Sequence, residues 1–152
     1  MKSRIRLYYA QPIDFVPTKK VIDSVERLQA LIKNLPIDIV TPYLDEQMDN
    51  DQFLNIPLNR ESARQIIEKD YAALDTCDVL LVDLSQEDRQ AVGMIFEIAY
   101  AFSKGKTIIA FASGSSLGDR VWIVATVDYI FETWEEIRVR LSQICPEHGS
   151  SP

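Results

Sequence analysis

Residues 91–102 read AVGMIFEIAYAF, eleven apolar or small residues around one glutamate, Glu97. A carboxylate among such neighbours loses hydration, which costs several kcal/mol unless it is hydrogen-bonded, and its pKa tends to rise. Such a placement is typical of a group that does chemistry. The plainer reading is an acid in a first helical turn complementing the helix dipole, worth about 0.3–1 kcal/mol. Asp70 repeats the anomaly. Ile66, Ile67, Tyr71 and Leu74 define an inner stripe at helical spacing, and Asp70 falls on that apolar side rather than with Glu68 and Lys69. Asp83 closes the run DVLLVDLS as a third acid at the end of a buried strand. Upstream, LYYAQPIDF adds Tyr8, Tyr9, Gln11, Asp14 and Phe15, and strand alternation sends Tyr8 and Tyr9 to opposite faces. Two acids in apolar settings beside aromatic groups suit a pocket for a flat ring with a sugar-like polar part.

The elements that must hold these residues alternate. IRLYYA (5–10), IDIVTP (37–42), DVLLVDLS (78–85), KTIIAFA (106–112) and DYIF (128–131) read as strands. Helices are expected over 18–34, with Thr18 as cap, over 60–77, from the 91–102 run to Lys104 with Gly105 as its stop, and over 133–144. Residues 43–59, without period, read as a long loop, whose acidic part, 43–55, either closes over a ligand or is simply solvated. SGSSLGDR (113–120) reads as a loop and VWIVAT (121–126) as a short connection. The pattern predicts an α/β doubly wound, flavodoxin-like, five-stranded parallel sheet with helices on both faces, in one domain over 1–145 followed by a flexible tail, 146–152. Ligands of such sheets bind beyond the carboxyl ends of the strands. On this reading Glu97 lies in the first turn or so of its helix, at that edge.

Composition narrows the function further. The 152 residues carry a formal net charge of −7, which argues against nucleic-acid polymers and anionic membranes as partners. No apolar run reaches bilayer length and no signal peptide is evident, so a cytoplasmic protein is expected. Two cysteines, Cys77 and Cys145, suggest neither a disulfide framework nor a zinc site, and Cys77 reads as a small core hydrophobe. The lone histidine, His148, sits in the tail, which excludes a histidine-based triad.

The ordered set of motifs resembles the nucleoside 2-deoxyribosyltransferase family, which includes deoxynucleoside 5′-monophosphate N-glycosidases. Tyr8, Ala10 and Pro12 match its opening Tyr-x-Ala-x-Pro strand. Asp70 stands eight residues before Asp78, and Gly93, Glu97, Ala101, Gly105 and Lys106 match Gly-x-x-x-Glu-x-x-x-Ala with its following Gly-Lys. The likeness covers roughly residues 5–112. It implies that Glu97 is a nucleophile attacking the anomeric carbon of 2-deoxyribose, with a second base or water then taking the sugar. It also implies that Tyr8 orients the glutamate, that Asp70 meets the base or its transferred proton, and that Phe15 stacks on the base. Ala10, Gln11, Asp83, Asp88, Gly93 and Met94 are the further substrate-binding candidates. Neither cofactor nor metal is needed. The expected partners are a nucleoside or nucleotide, a free nucleobase, and other copies of the chain in a dimer or larger homo-oligomer.

One position departs from the pattern. Transferases of the family carry an aspartate six residues before the glutamate, where this chain has Ala91. Asp88 and Asp83 are the nearby acids that could replace it. The nucleotide-cleaving N-glycosidases also lack an acid there, so a 5′-monophosphate substrate stays open beside the nucleoside. A binding module that has kept the fold without turnover is the third reading.

Overall fold

Val79–Asp83 is buried at every position, and this run forms the middle of the sheet. A computed structural model describes residues 3–13, 16–45, 48–49, 52–53, 59–86 and 92–147. Asp14, Phe15, Asp88, Ala91 and His148 lie outside the described residues, as does most of the tail. In chain order the elements are β1 (Ile5–Ala10), α1 (Thr18–Leu31), β2 (Ile37–Val40), a 3₁₀ turn (Pro42–Asp45), β3 (Met48–Asp49) and β4 (Gln52–Phe53). They continue with α2 (Arg60–Asp75), β5 (Val79–Asp83), α3 (Val92–Ser103), β6 (Thr107–Phe111), a 3₁₀ turn (Ser116–Asp119), α4 (Val121–Thr126), β7 (Tyr129–Phe131) and α5 (Trp134–Ile144). The main sheet has the order β2-β1-β5-β6-β7, with every neighbouring pair parallel. This is the expected flavodoxin-like, doubly wound fold.

Both faces of the sheet are covered, as an uninterrupted apolar strand requires. On one face Leu7, Tyr9, Val79, Leu81 and Ile109 pack against Val21, Val25 and Leu28 of α1 and Ile137 and Leu141 of α5. On the other, Tyr8, Ala10, Leu80, Val82, Ile108 and Ala110 meet Leu74 of α2, Met94, Ile98 and Ala101 of α3, and Ile123 of α4. The helix ends follow from local chemistry. Asn59 caps α2 by accepting from the Ser62 N–H at 2.8 Å, and Thr133 and Glu136 form a reciprocal capping box on α5. Gly105 stops α3 at φ +67°, a conformation that costs a residue with a Cβ.

Four sequence expectations change. The segment 43–59 is not a featureless loop: it holds the 3₁₀ turn and the antiparallel β3–β4 hairpin, whose two-residue strands are too short for a periodic signal. VWIVAT is a helix rather than a connection, and the loop before it contains a 3₁₀ turn. Thr18 is the first residue of α1, not its cap; Pro17 holds the cap position and makes no side-chain cap bond. Ile67 is 50% exposed, because α2 fully buries only Leu74.

Candidate active site

The strand order reverses direction between β1 and β5, so the crevice at their carboxyl ends is where a fold of this kind takes a ligand. Tyr8 reaches that region from β1, two residues before the strand ends, and is 1% exposed. Glu97 approaches from α3, with the helix beginning at Val92, so the glutamate occupies the second turn rather than the first. Asp70 comes from α2. The three side chains meet on the α2–α4 face of the sheet.

The Tyr8 hydroxyl donates a hydrogen bond to the Glu97 carboxylate. Glu97 is half-buried as a residue, yet its Oε2 is sealed from solvent and has no hydrogen-bond partner among the described residues. Burial pushes its pKa up to about 8; the Tyr8 hydrogen bond opposes the rise and the Asp70 charge adds to it. The same burial, with the charges of Glu97 and Asp70, drives the Tyr8 phenol far above its ordinary value, which keeps it a donor. One Asp70 oxygen, Oδ1, is likewise shielded from water. At neutral pH Glu97 therefore keeps its proton, and the Asp70 charge adds to the cost of ionising it in so poorly hydrated a site. With that proton passed to Asp70, the pair offers an ionised oxygen as nucleophile and a proton for a leaving group, the division of labour of a retaining glycosidase.

The remaining candidates divide. Gly93 stands one helical turn before the glutamate, and a Cβ there would lie 4.0 Å from Glu97 Oε1. The bare glycine therefore leaves the carboxylate approachable. Ala10 and Met94 are packed into the core beneath the site, at 2% and 4% exposure. Gln11 is buried with both amide hydrogens committed, to Val21 O and to the Tyr43 hydroxyl, each at 3.2 Å. Asp83 belongs to the opposite face. Its carboxylate accepts from the Ser85 backbone N–H at 3.0 Å and from the Ser85 hydroxyl, and its charge adds to the burial that raises the pKa of Tyr9, whose ring lies with the α1–α5 core.

Sequence reasoning missed two residues near Glu97. Tyr43, from the 3₁₀ turn after β2, is buried at 5% exposure and feels the Glu97 charge. Tyr71 of α2 feels it too, after the effect of its own burial. Tyr71 sits beside Asp70 in the chain and was legible as a stripe residue; Tyr43 lies in an acidic stretch with no period to flag it.

Comparison with known proteins gives the chain's family and fold relatives. A family model described as nucleoside 2-deoxyribosyltransferase matches residues 7–128, a span holding Tyr8, Asp70 and Glu97. A 2-deoxyribosyltransferase from the bacterium Bacillus psychrosaccharolyticus superposes with a TM-score of 0.67 at 14% identity, covering 90% of this chain and 95% of that one. A conserved protein from Enterococcus faecalis V583 gives 0.64 at 17% identity, over 92% and 98%. The CMP N-glycosidase BcmB of Clostridium botulinum gives 0.54 at 16% identity, over 91% and 98%. At these identities the superpositions speak for the fold alone. A search of curated protein sequences returns no match. Matched over most of its length by the family model, the chain belongs to the nucleoside 2-deoxyribosyltransferase family.

Proposed function

We propose that the protein cleaves the N-glycosidic bond of 2-deoxynucleosides and transfers the deoxyribosyl group to another nucleobase, with Glu97 as nucleophile. The observation that carries this reading is a sealed carboxylate oxygen beside a second acid and a buried tyrosine donor, at the ligand edge of the sheet. In the first step the proton that Glu97 holds at neutral pH passes to Asp70, the freed Glu97 oxygen attacks C1′ and the C1′–N bond breaks. The bonding pair leaves with the base, which takes the proton held by the carboxylate pair through Asp70. In the second, the nitrogen of an incoming base attacks C1′, its proton passes to Asp70, and Glu97 departs as a carboxylate. Tyr8 steadies the negative charge on Glu97 before attack and after release. Glu97 supplies the electron pair of the first step and the incoming nitrogen that of the second, while Asp70 gives up a proton and regains one.

Hydrolysis of a deoxynucleoside 5′-monophosphate by the same two steps, with water as acceptor, is the second reading. Ala91 favours it, since no acid at that position repels a phosphate, and an N-glycosidase is among the structural neighbours. Two assays run side by side separate the readings. Thymidine or deoxyinosine with free adenine yields deoxyadenosine if the protein transfers; a deoxynucleoside monophosphate alone releases free base if it hydrolyses. Glu97→Ala abolishes whichever product forms, and activity surviving in that variant sinks the assignment of Glu97. Ligand binding without turnover of any substrate would instead favour the binding-module reading.

A homo-oligomer fits the surface of α3 and α4. Val92 and Phe96 on α3 are 60% and 64% exposed, and Val121 and Trp122 on α4 are 79% and 81% exposed. The two helices pack side by side, so these apolar side chains ask for cover that one sheet face does not provide. A second copy of the chain supplies it, next to the helix that carries Glu97. The described residues include no helix long and apolar enough to cross a membrane.

A further inference from the structure

The Tyr71 and Tyr100 rings lie 4.0 Å apart at an interplanar angle of 9°, the one face-to-face contact described between α2 and α3. Each ring is tied to the reacting groups by chain position. Tyr71 directly follows Asp70, and Tyr100 stands three residues after Glu97, next to it along one helix face. The stack is braced on its α3 side. The Tyr100 hydroxyl donates to Asp75 Oδ1 of α2 at 2.8 Å, and Lys104 Nζ lies 5.3 Å over the Tyr100 ring. Beneath it, Leu74 of α2 and Ile98 and Ala101 of α3 share one buried cluster.

We infer that the Tyr71–Tyr100 stack is a positioning device that sets the gap between Asp70 and Glu97. Resting on the reading of these two acids as the reacting pair, the inference adds what fixes their distance. Stacked rings resist sliding and separation, and such a pair contributes beyond the area it buries. The two acids lie on different helices, so any change in the α2–α3 spacing reaches both. The groups facing Glu97 are Tyr8 from β1, Asp70 and Tyr71 from α2, and Tyr43 from the 3₁₀ turn. Asp70 and Tyr71 are the two carried on α2, the helix that the stack holds against α3.

The test is a carbon-13 NMR titration of the glutamate side-chain carboxyls, with the Glu97 signal assigned by its absence in Glu97→Gln. In the wild type Glu97 titrates well above the ordinary glutamate range. Widening a carboxylate–carboxylate gap by about 2 Å at an effective dielectric of about 20 lowers the upper titration by about half a unit to one unit. Tyr100→Leu and Tyr71→Leu therefore bring Glu97 down by that amount, and kcat of Tyr100→Leu falls about tenfold with KM within twofold. Tyr71→Phe and Tyr100→Phe, which keep the rings, titrate within about 0.3 units of the wild type. If one leucine variant fails to fold, the other carries the comparison. Wild-type titration in all four variants overturns the positioning role while leaving Glu97 as nucleophile. A wild-type Glu97 titrating near its ordinary value overturns the inference, because no second charge then bears on it, whereas failure of the function shows separately as product formed by Glu97→Gln.

Discussion

Glu97→Gln should make the protein more stable, by an amount that grows with pH. The substitution keeps a carbonyl oxygen for the Tyr8 hydroxyl and removes the ionisable proton. Folding raises the pKa of Glu97 from its ordinary 4.5 to about 8, mainly by burial. An acid whose folded pKa is raised is protonated in the native state over a range where the unfolded chain has ionised it. Stability is therefore full below about pH 4.5 and is lost as pH rises toward 8. At about 1.4 kcal/mol per unit, the cost is about 1 kcal/mol at pH 5, about 3 kcal/mol at pH 7, and about 5 kcal/mol well above pH 8. Glutamine carries no such cost. Urea unfolding at matched protomer concentration should put Glu97→Gln about 3 kcal/mol above the wild type at pH 7 and within about 1 kcal/mol at pH 5. For a chain of this length the pH 7 difference corresponds to a rise in Tm of about 6–12 °C. A variant whose advantage stays constant from pH 5 to 8, or which is less stable than the wild type at pH 7, would refute the picture of a buried carboxyl retained at a cost in stability.

Three other outcomes follow from the same geometry. Activity should fall as pH rises through about 8, where the carboxylate pair loses the proton that the leaving base needs, and Tyr8→Phe should lower kcat about 10- to 100-fold, since a hydrogen bond to a charged group is worth about 1.5–3 kcal/mol; a profile that keeps rising past pH 9 contradicts the proton held at Glu97. Asp83→Ala should cost about 1–3 kcal/mol by stranding the Ser85 N–H, whereas Asp83→Asn keeps an acceptor and stays within about 1 kcal/mol; a folded Asp83→Asn without activity would place the Asp83 charge on the substrate instead. Light scattering after size exclusion should find the wild type as a dimer or larger and Trp122→Glu as a smaller species; a monomeric wild type removes the oligomer from the account.

The parts of the molecule legible in the sequence are those set by local period and by anomaly. Five apolar runs separated by amphipathic ones lead to the doubly wound sheet, because an all-buried strand such as Val79–Asp83 needs helices on both faces. Glu97 and Asp70 stood out because a carboxylate among apolar neighbours is costly, and that cost does not depend on knowing the fold. The face of Asp83 depends on register. Tyr9 pairs with Leu81, and Leu81 shares its side of the sheet with Asp83, so the carboxylate turns away from Tyr8 and Glu97. Strand alternation contains that answer only once β1 and β5 are known to be neighbours. Tyr43 is 35 positions from Tyr8 in the chain and approaches Glu97 only because β2 lies beside β1. The β3–β4 hairpin and α4 are too short to leave a periodic trace.

The central claim is that Glu97 forms a covalent bond to the sugar. A 2-deoxynucleoside carrying fluorine at C2′ should trap that intermediate, because the electronegative substituent disfavours the oxocarbenium-like transition state through which the ester breaks down. Intact-protein mass spectrometry should then show a gain of one fluorodeoxyribosyl group. Peptide mapping should place the group on Glu97, and Glu97→Gln should remain unlabelled. A label on another residue, or product formed from the natural substrate by Glu97→Gln at the wild-type rate, would contradict the account.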